Sequence, residues 1–495
     1  MTDRTAPAIP ISLPDRYDRL RIDAAVVYTA EPQRPVVEEG SVLIQGDVIA
    51  AVGTAEEVDR VEADLGLCAG RARRIDATDR MILPGLVNDH WHEVGALRVA
   101  SGMGVDIDDR GTEASQYSRG GDMLAVSQFF ASVPELQQMI PEALARLAAL
   151  EAYVAQLRAG TTCVADFGSA NRPDVLAQAI LDTGIRGTVT AYAVDGVCKA
   201  GETSFQRIRD ANEILAETEE LLEQFGAHES GRLRAMPSVL VGFSASDELI
   251  RGAVALAGRY DTPVATHLAA MANERAFHLQ LHGSRPVERW HRLGLLSDRI
   301  IAAHTAFADA DELGWLQSAG VHVTHCPQRY GATGENTTTT TRQILSFLDA
   351  GDRVSLSTDG DALPLGFMPE AMRMAWLAYN EAAGDPSTVT PTRALSMATW
   401  AGARALRWDA EIGSLAAGKK ADLVTVPVAD FRYTGVRRRL QSYLAMGSSA
   451  DIDMTVVDGR ILVEDRAATF VDERQLNDAF LAAAGDFAQA MAAAH

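Results

Sequence analysis

The chain has 495 residues, 47% of them hydrophobic and 23% charged, with a formal net charge of −22. That charge argues against a general nucleic-acid binder, which needs a basic surface, and the length calls for one large domain plus a second unit. The four cysteines (Cys68, Cys163, Cys198, Cys326) form no CxxC pair, and neither a signal-peptide core nor a bilayer-length apolar run occurs, so a cytoplasmic protein without a membrane partner is expected.

Residues 1–83 read as short strands, in "DAAVVYTA", "GSVLIQGDVIAAVG" and "RRIDATDRMILPG". The same texture returns over 415–472, in "KADLVTVPV" and "DIDMTVVDGRILVED". The two ends are expected to form one small β-sandwich. Between them, over 84–414, short apolar runs alternate with helical stretches, which predicts β-α units and a parallel sheet. Eight strands are predicted, at Met81–Asn88, Thr162–Phe167, Arg186–Val194, Ala235–Phe243, Thr262–His267, Ile300–His304, Val321–His325 and Arg353–Ser357. Eight such units imply an α/β fold of the (β/α)8 barrel type. The polar, glycine-rich run from 101 to 123 reads as a lid loop or as disorder. Thr337–Thr341 reads as a loop or a helix start, and 473–495 as an Ala-rich C-terminal helix.

Several predicted strands end on a ligand-type residue: "NDHWH", "PVATH", "RIIAAH", "HVTH" and "SLSTD". Residues i and i+2 of a strand share a face, so His90 and His92 form a pincer. A barrel gathers its C-terminal strand ends on one face. His90, His92, His267, His304, His325 and Asp359 are therefore expected to converge, with the donor types of a metal site.

The ordered pieces "PGLVNDHWH", "THLAA", "AAH", "HCP" and "STDG", closed by "SMATWAGARAL" and "IGSLAAGKKADLV", resemble the amidohydrolase superfamily. The likeness is to the branch of triazine hydrolases and cytosine and guanine deaminases. It implies a barrel with a composite β-sandwich, with His90, His92, His267 and Asp359 as metal ligands. It also implies Asp359 as proton acceptor and His304 as a catalytic group beside the water. Two-metal relatives carry a lysine at the end of strand four. Here that end reads "LVGFSASDE", so one divalent ion is expected. Zinc suits the donors best, with iron or manganese as alternatives. Such an ion brings the pKa of bound water down to about 7, and the hydroxide attacks an electron-poor carbon.

Two departures matter. Deaminases of this branch read His-x-x-Glu at strand five, and here the fourth position is Ala270, which can neither give nor take a proton. Glu274 matches a second acidic position, to be read as substrate-binding or as a helix-surface charge. After "HCP", relatives often carry serine and asparagine where Gln328 and Arg329 stand. Arg329 is read either as the partner of a substrate carboxylate or as a surface residue. His325 is expected to face the pocket with Gln328, and His322 to face away. His278 and His282, four apart on a helix, mimic a metal pair, but the barrel already supplies a full set.

The expected function is hydrolysis of a non-peptide carbon–nitrogen bond in a small cyclic or heteroaromatic molecule. Hydrolytic displacement of halide or sulfur is the alternative enzymatic reading, and a non-catalytic barrel scaffold the alternative from another class. A homodimer or higher homo-oligomer is the expected assembly.

Overall fold

A computed structural model describes residues 9–97, 120–226, 228–360, 366–433 and 438–494. Both ends of the chain build one nine-stranded sheet. Arg19–Tyr28, Gly40–Gln45, Val48–Thr54 and Ala72–Pro84 come from the N-terminal part. Leu423–Pro427, Met454–Val457 and Arg460–Glu464 come from the C-terminal part. The halves join where Leu423–Pro427 lies antiparallel on Ala72–Pro84, with Leu423 opposite Pro84 and Val426 opposite Met81. Alternate side chains such as Leu20, Ile22 and Ala24 point one way. They meet Val42, Ile44, Ile82, Leu423 and Val456 in a buried cluster of their own.

Two five-stranded sheets together close into a barrel of eight parallel runs, while Gly196–Val197 and Gln206–Arg207 pair antiparallel as a separate two-stranded sheet. The first six begin at Leu86–His92, Thr161–Asp166, Arg186–Val189, Leu233–Ala235, Val264–Leu268 and Ile300–His304. His322–His325 and Val354–Leu356 complete the set. Runs four and eight each change partner midway. Leu233–Ala235 pairs with run three, and Ser238–Val241, beyond Pro237, pairs with run five. Val354–Leu356 pairs with run seven, and Asp359–Gly360 with run one, which closes the ring. A proline cannot donate to a ladder, so Pro237 marks the break in run four.

The expected fold class is observed, with three local differences. Met81–Leu83 belong to the sheet, and the first barrel run starts after Gly85, at Leu86. Gly85 is required there, because a Cβ would lie 2.1 Å from Thr162 Oγ1. Run three stops at Val189, because the Thr190 N–H and hydroxyl turn to the Asp166 carboxylate (3.2 and 2.8 Å). Thr337–Thr341 form a single π-helical turn between left-handed Asn336 and Arg342. Helix Glu473–Ala494 buries Leu476, Phe480 and Ala484 beside Leu150 and Leu157 of helix Glu142–Arg158. Of the glycine-rich run, 101–119 lies outside the described residues.

Candidate metal centre

The C-terminal ends of runs one, five, six and eight bring five of the expected side chains together. His90 and His92 project from run one to the same face, as period-two alternation requires. Their Nε2 atoms are 3.1 Å apart, and each is 3.0 Å from Nε2 of His267 on run five. Asp359 Oδ1 lies 3.8 Å from Nε2 of both His90 and His92. His304 on run six places Nε2 3.8 Å from Asp359 Oδ2.

The outer nitrogens set the tautomers. Nδ1 of His92 is 2.9 Å from the Gly168 carbonyl, and Nδ1 of His267 is 2.7 Å from the Leu240 carbonyl. A carbonyl only accepts, so each Nδ1 carries the proton and each Nε2 presents a lone pair. Nδ1 of His90 faces Cys326 Sγ at 3.3 Å, and that sulfur is 3.1 Å from Ser357 Oγ. Burial holds His90 well below its ordinary pKa and brings His267 down to about 3. Neutral lone pairs aimed at one another repel unless a cation lies between them. Metal–nitrogen bonds of about 2.0–2.1 Å in tetrahedral array separate the nitrogens by roughly 3.3 Å, close to the 3.0–3.1 Å seen here. The donor set therefore fits a divalent ion, with the carboxylate of Asp359 as the fourth group.

The backbone at these strand ends is strained. His304 (φ 77°), Asp359 (φ 64°) and Ala269 (φ 50°) all occupy the left-handed region. Each such residue costs on the order of 1–3 kcal/mol and persists only where the surroundings enforce it. The strain coincides with the ends that carry His304 and Asp359.

A cavity of about 120 Å³ opens over the cluster. His92, His267, His304, Arg329 and Asp359 form its polar floor. Its walls are apolar: Phe129, Phe130 and Val133 from helix Met123–Met139, with Leu240, Val241 and Met271 opposite. Ala270 lines it too, so the alanine stands at the cavity where the strand-five glutamate was expected.

Arg329 is neither a surface residue nor turned toward an unpaired anion. It is 4% exposed, with Nε 3.3 Å from Asp359 Oδ2 and Nη1 3.2 Å from Glu335 Oε2. Its guanidinium is thus engaged by two carboxylates. Glu274 lies behind the cavity wall, under the turn after run five. Its carboxylate accepts the N–H groups of Ala269, Ala270 and Met271 at 3.2, 2.6 and 3.3 Å. Burial nevertheless pushes its carboxyl up to about 7. His325 is buried, hydrogen-bonded through Nδ1 to the Tyr379 hydroxyl and stacked on Tyr330 at 5.3 Å between centroids. It stands beside the cavity rather than in its lining. Gln328 also lies outside the lining, its amide 3.4 Å from the Phe367 carbonyl. His278 donates to or accepts from nothing in the centre: its Nδ1 meets the Ser284 carbonyl at 2.7 Å.

A model of the amidohydrolase family matches residues 81–462. The chain belongs to that family. Among curated amidohydrolase relatives, a 5-methylthioadenosine/S-adenosylhomocysteine deaminase of Symbiobacterium thermophilum is 28% identical over 90% of this chain and 94% of its own length. A 5'-deoxyadenosine deaminase of Methanothermobacter thermautotrophicus is 28% identical over 91% and 95%. Among solved structures, an adenosine deaminase from Xanthomonas campestris with bound zinc superposes with a TM-score of 0.77 at 24% identity, over 96% of this chain and 99% of that one. Atrazine chlorohydrolase from Arthrobacter aurescens TC1, complexed with zinc, gives 0.77 at 24%, over 94% and 100%. These two structures share the fold.

Three residues of this amidohydrolase's centre were not singled out from sequence. Cys326, inside the "HCP" motif, contacts His90. Glu335 pairs with Arg329. Tyr330 donates its hydroxyl to the Ala270 carbonyl (2.9 Å) and sets its ring 5.7 Å from His304. The motif pointed at Cys326. Nothing in the sequence pointed at Glu335, whose place depends on the turn after helix Pro327–Thr333.

Proposed function

We propose that this amidohydrolase cleaves a carbon–nitrogen bond of a small cyclic or heteroaromatic substrate, with His90, His92, His267 and Asp359 holding one divalent ion. The convergence of three lone-pair nitrogens and one carboxylate on the floor of an apolar cavity carries the reading. Zinc is the ion proposed, in keeping with the donor types and with the zinc-bound structures of similar fold. When bound, such an ion supplies hydroxide at neutral pH by lowering the pKa of water from about 15.7 to about 7.

The chain's own groups divide the remaining work. Asp359 faces both the imidazole cluster and His304, so it is placed to accept a proton on one side of the reacting carbon. Burial keeps His304 neutral, with one N–H to give to charge developing on the substrate. Arg329 neutralises Asp359 on the far side and orients it. Phe129, Phe130 and Val133 exclude water and contact the ring. Chelation should abolish turnover, and zinc or manganese should restore it. Full activity in a metal-free sample sinks the reading.

One observation favours a second reading. Ala270 faces the cavity, so that position offers no acid for a poor leaving group. Displacement of halide or sulfur needs less protonation than loss of an amine. Assays for ammonia, chloride and sulfide across a small panel separate the two. A metal content below about half an equivalent per chain favours the scaffold reading. A cytoplasmic setting, supported by four free cysteines, belongs to the same proposal, as does a homo-oligomer, which light scattering tests.

A further inference from the structure

The opposite end of the barrel carries a second polar cavity. Its residues sit at or before the N-terminal ends of the strands. His322 opens run seven, Arg353 precedes run eight, and Asp261 and Asp298 precede runs five and six. Arg404, on helix Trp400–Ala405, and Arg407 complete the rim of a cavity of about 470 Å³.

The charges there are unequally matched. Arg407 lies 3.6 Å from Asp261 and 3.9 Å from Asp298, and Arg234 lies 2.5 Å from Glu411. Arg353 and Arg404 are both half-buried, and among the described residues neither has an ion pair. Arg353 donates to the Gly320 carbonyl at 2.6 Å, and Arg404 lies over the Trp400 ring at 5.2 Å. Asp261 is held more closely by Arg299, at 2.8 Å, and Asp409 is the one acidic residue of the lining without an ion pair, so five guanidiniums (Arg234, Arg299, Arg353, Arg404 and Arg407) meet four carboxylates (Asp261, Asp298, Asp409 and Glu411).

His322, 3% exposed, lines the same cavity as both guanidiniums. Its Nε2 is 3.1 Å from Ser355 Oγ, and that hydroxyl donates to Asp89 Oδ2 at 2.5 Å inside the barrel. With Asp89 ionised, the single hydrogen of Ser355 goes to that carboxylate, and His322 then donates through Nε2 and keeps a lone pair on Nδ1. Burial first, then Arg404 and Arg353, bring this imidazole down to about 3, and it is neutral at pH 7. The cavity thus offers two charged forks and a neutral acceptor. A hydrogenphosphate matches that set: its ionised oxygens take the guanidiniums and its hydroxyl donates to the imidazole. Sulfate has no hydroxyl to give.

We propose that this cavity binds a phosphate group through Arg353, Arg404 and His322, as a site separate from the metal centre. Calorimetric titration of the full-length, metal-loaded enzyme with inorganic phosphate, glycerol phosphate and sulfate at matched ionic strength tests it. Saturable one-site phosphate binding, weakened about tenfold or more by R404Q and by R353Q with sulfate much weaker, supports the site. R404K should retain part of the affinity. Arg353 also holds a carbonyl, so R404Q decides the matter if R353Q fails to fold. Tighter glycerol phosphate identifies a phosphorylated metabolite as the occupant, and tighter inorganic phosphate identifies the free ion. No saturable heat, equal affinity for sulfate, or affinity unchanged in R404Q overturns the proposal. The last result is what phosphate held at the metal centre gives.

Discussion

Replacing Arg329 with methionine tests the electrostatics of the centre directly. The side chain is 4% exposed and lies between two carboxylates, Asp359 at 3.3 Å and Glu335 at 3.2 Å. Glu335 has no other cation within reach among the described residues, and its Oε1 is buried without a hydrogen-bond partner. Methionine keeps much of the volume but removes the counterion, leaving Glu335 as an uncompensated buried charge. Removing one partner of a buried pair typically costs about 3–5 kcal/mol. With an unfolding entropy of about 2.1 cal/mol/K per residue, a chain of this length loses about 1 °C per kcal/mol, so R329M should melt roughly 3–5 °C lower. The companion change E335Q removes the orphaned charge. The double variant R329M/E335Q should therefore recover at least half of that loss, a coupling of about 1–3 kcal/mol. Differential scanning calorimetry of wild type, both single variants and the double, all metal-loaded, gives the four values. The reasoning fails if R329M melts within 1 °C of wild type, or if the double variant is no more stable than R329M.

Three further outcomes are expected. Metal added at about a hundred times its dissociation constant should stabilise the protein by about 2.7 kcal/mol, and H267N, tested by the same melt, should show no such gain. Ala270→Glu should leave turnover of the native substrate unimproved and raise KM, because the longer side chain occupies a cavity of only about 120 Å³; steady-state kinetics checks this, and a large gain in kcat shows the acid role misjudged. Burial brings His278 down to about 3 from 6.5, so the unfolded chain binds a proton that the folded one refuses. Its contribution to stability is therefore lost as pH falls from about 6.5 toward 3. H278Q should flatten the fall in melting temperature between pH 7 and pH 5, and an unchanged slope refutes the assignment.

The barrel was legible because β-α alternation and strand-end chemistry point the same way. His90 and His92 could be paired from their spacing, since strand alternation is a local property. Joining them to His267, His304 and Asp359 needed only the rule that parallel strand ends share one face. What alternation does not encode is the direction of residues beyond the strands. Arg329 and Glu274 both lie on helices that follow a strand, and sequence left each between a substrate role and a surface role. In the structure one is turned onto Asp359 and the other under three backbone N–H groups. The partner changes in runs four and eight were equally hidden, because they arise from closing the ring. The apolar cavity walls come from Met123–Met139, whose Phe129, Phe130 and Val133 carry no motif.

The composite sheet has a consequence for synthesis. Strand Ala72–Pro84 receives its neighbour Leu423–Pro427 only after about 340 further residues have been made. At about 5–20 residues per second, that is a wait of roughly 20–70 seconds. Throughout it, one edge of the N-terminal sheet offers unpaired N–H and C=O groups, flanked by Met81, Ile82 and Leu83, to any other strand nearby. The N-terminal segment thus leaves the ribosome long before it can be completed. Yield in a host should accordingly depend on factors that shield nascent edges.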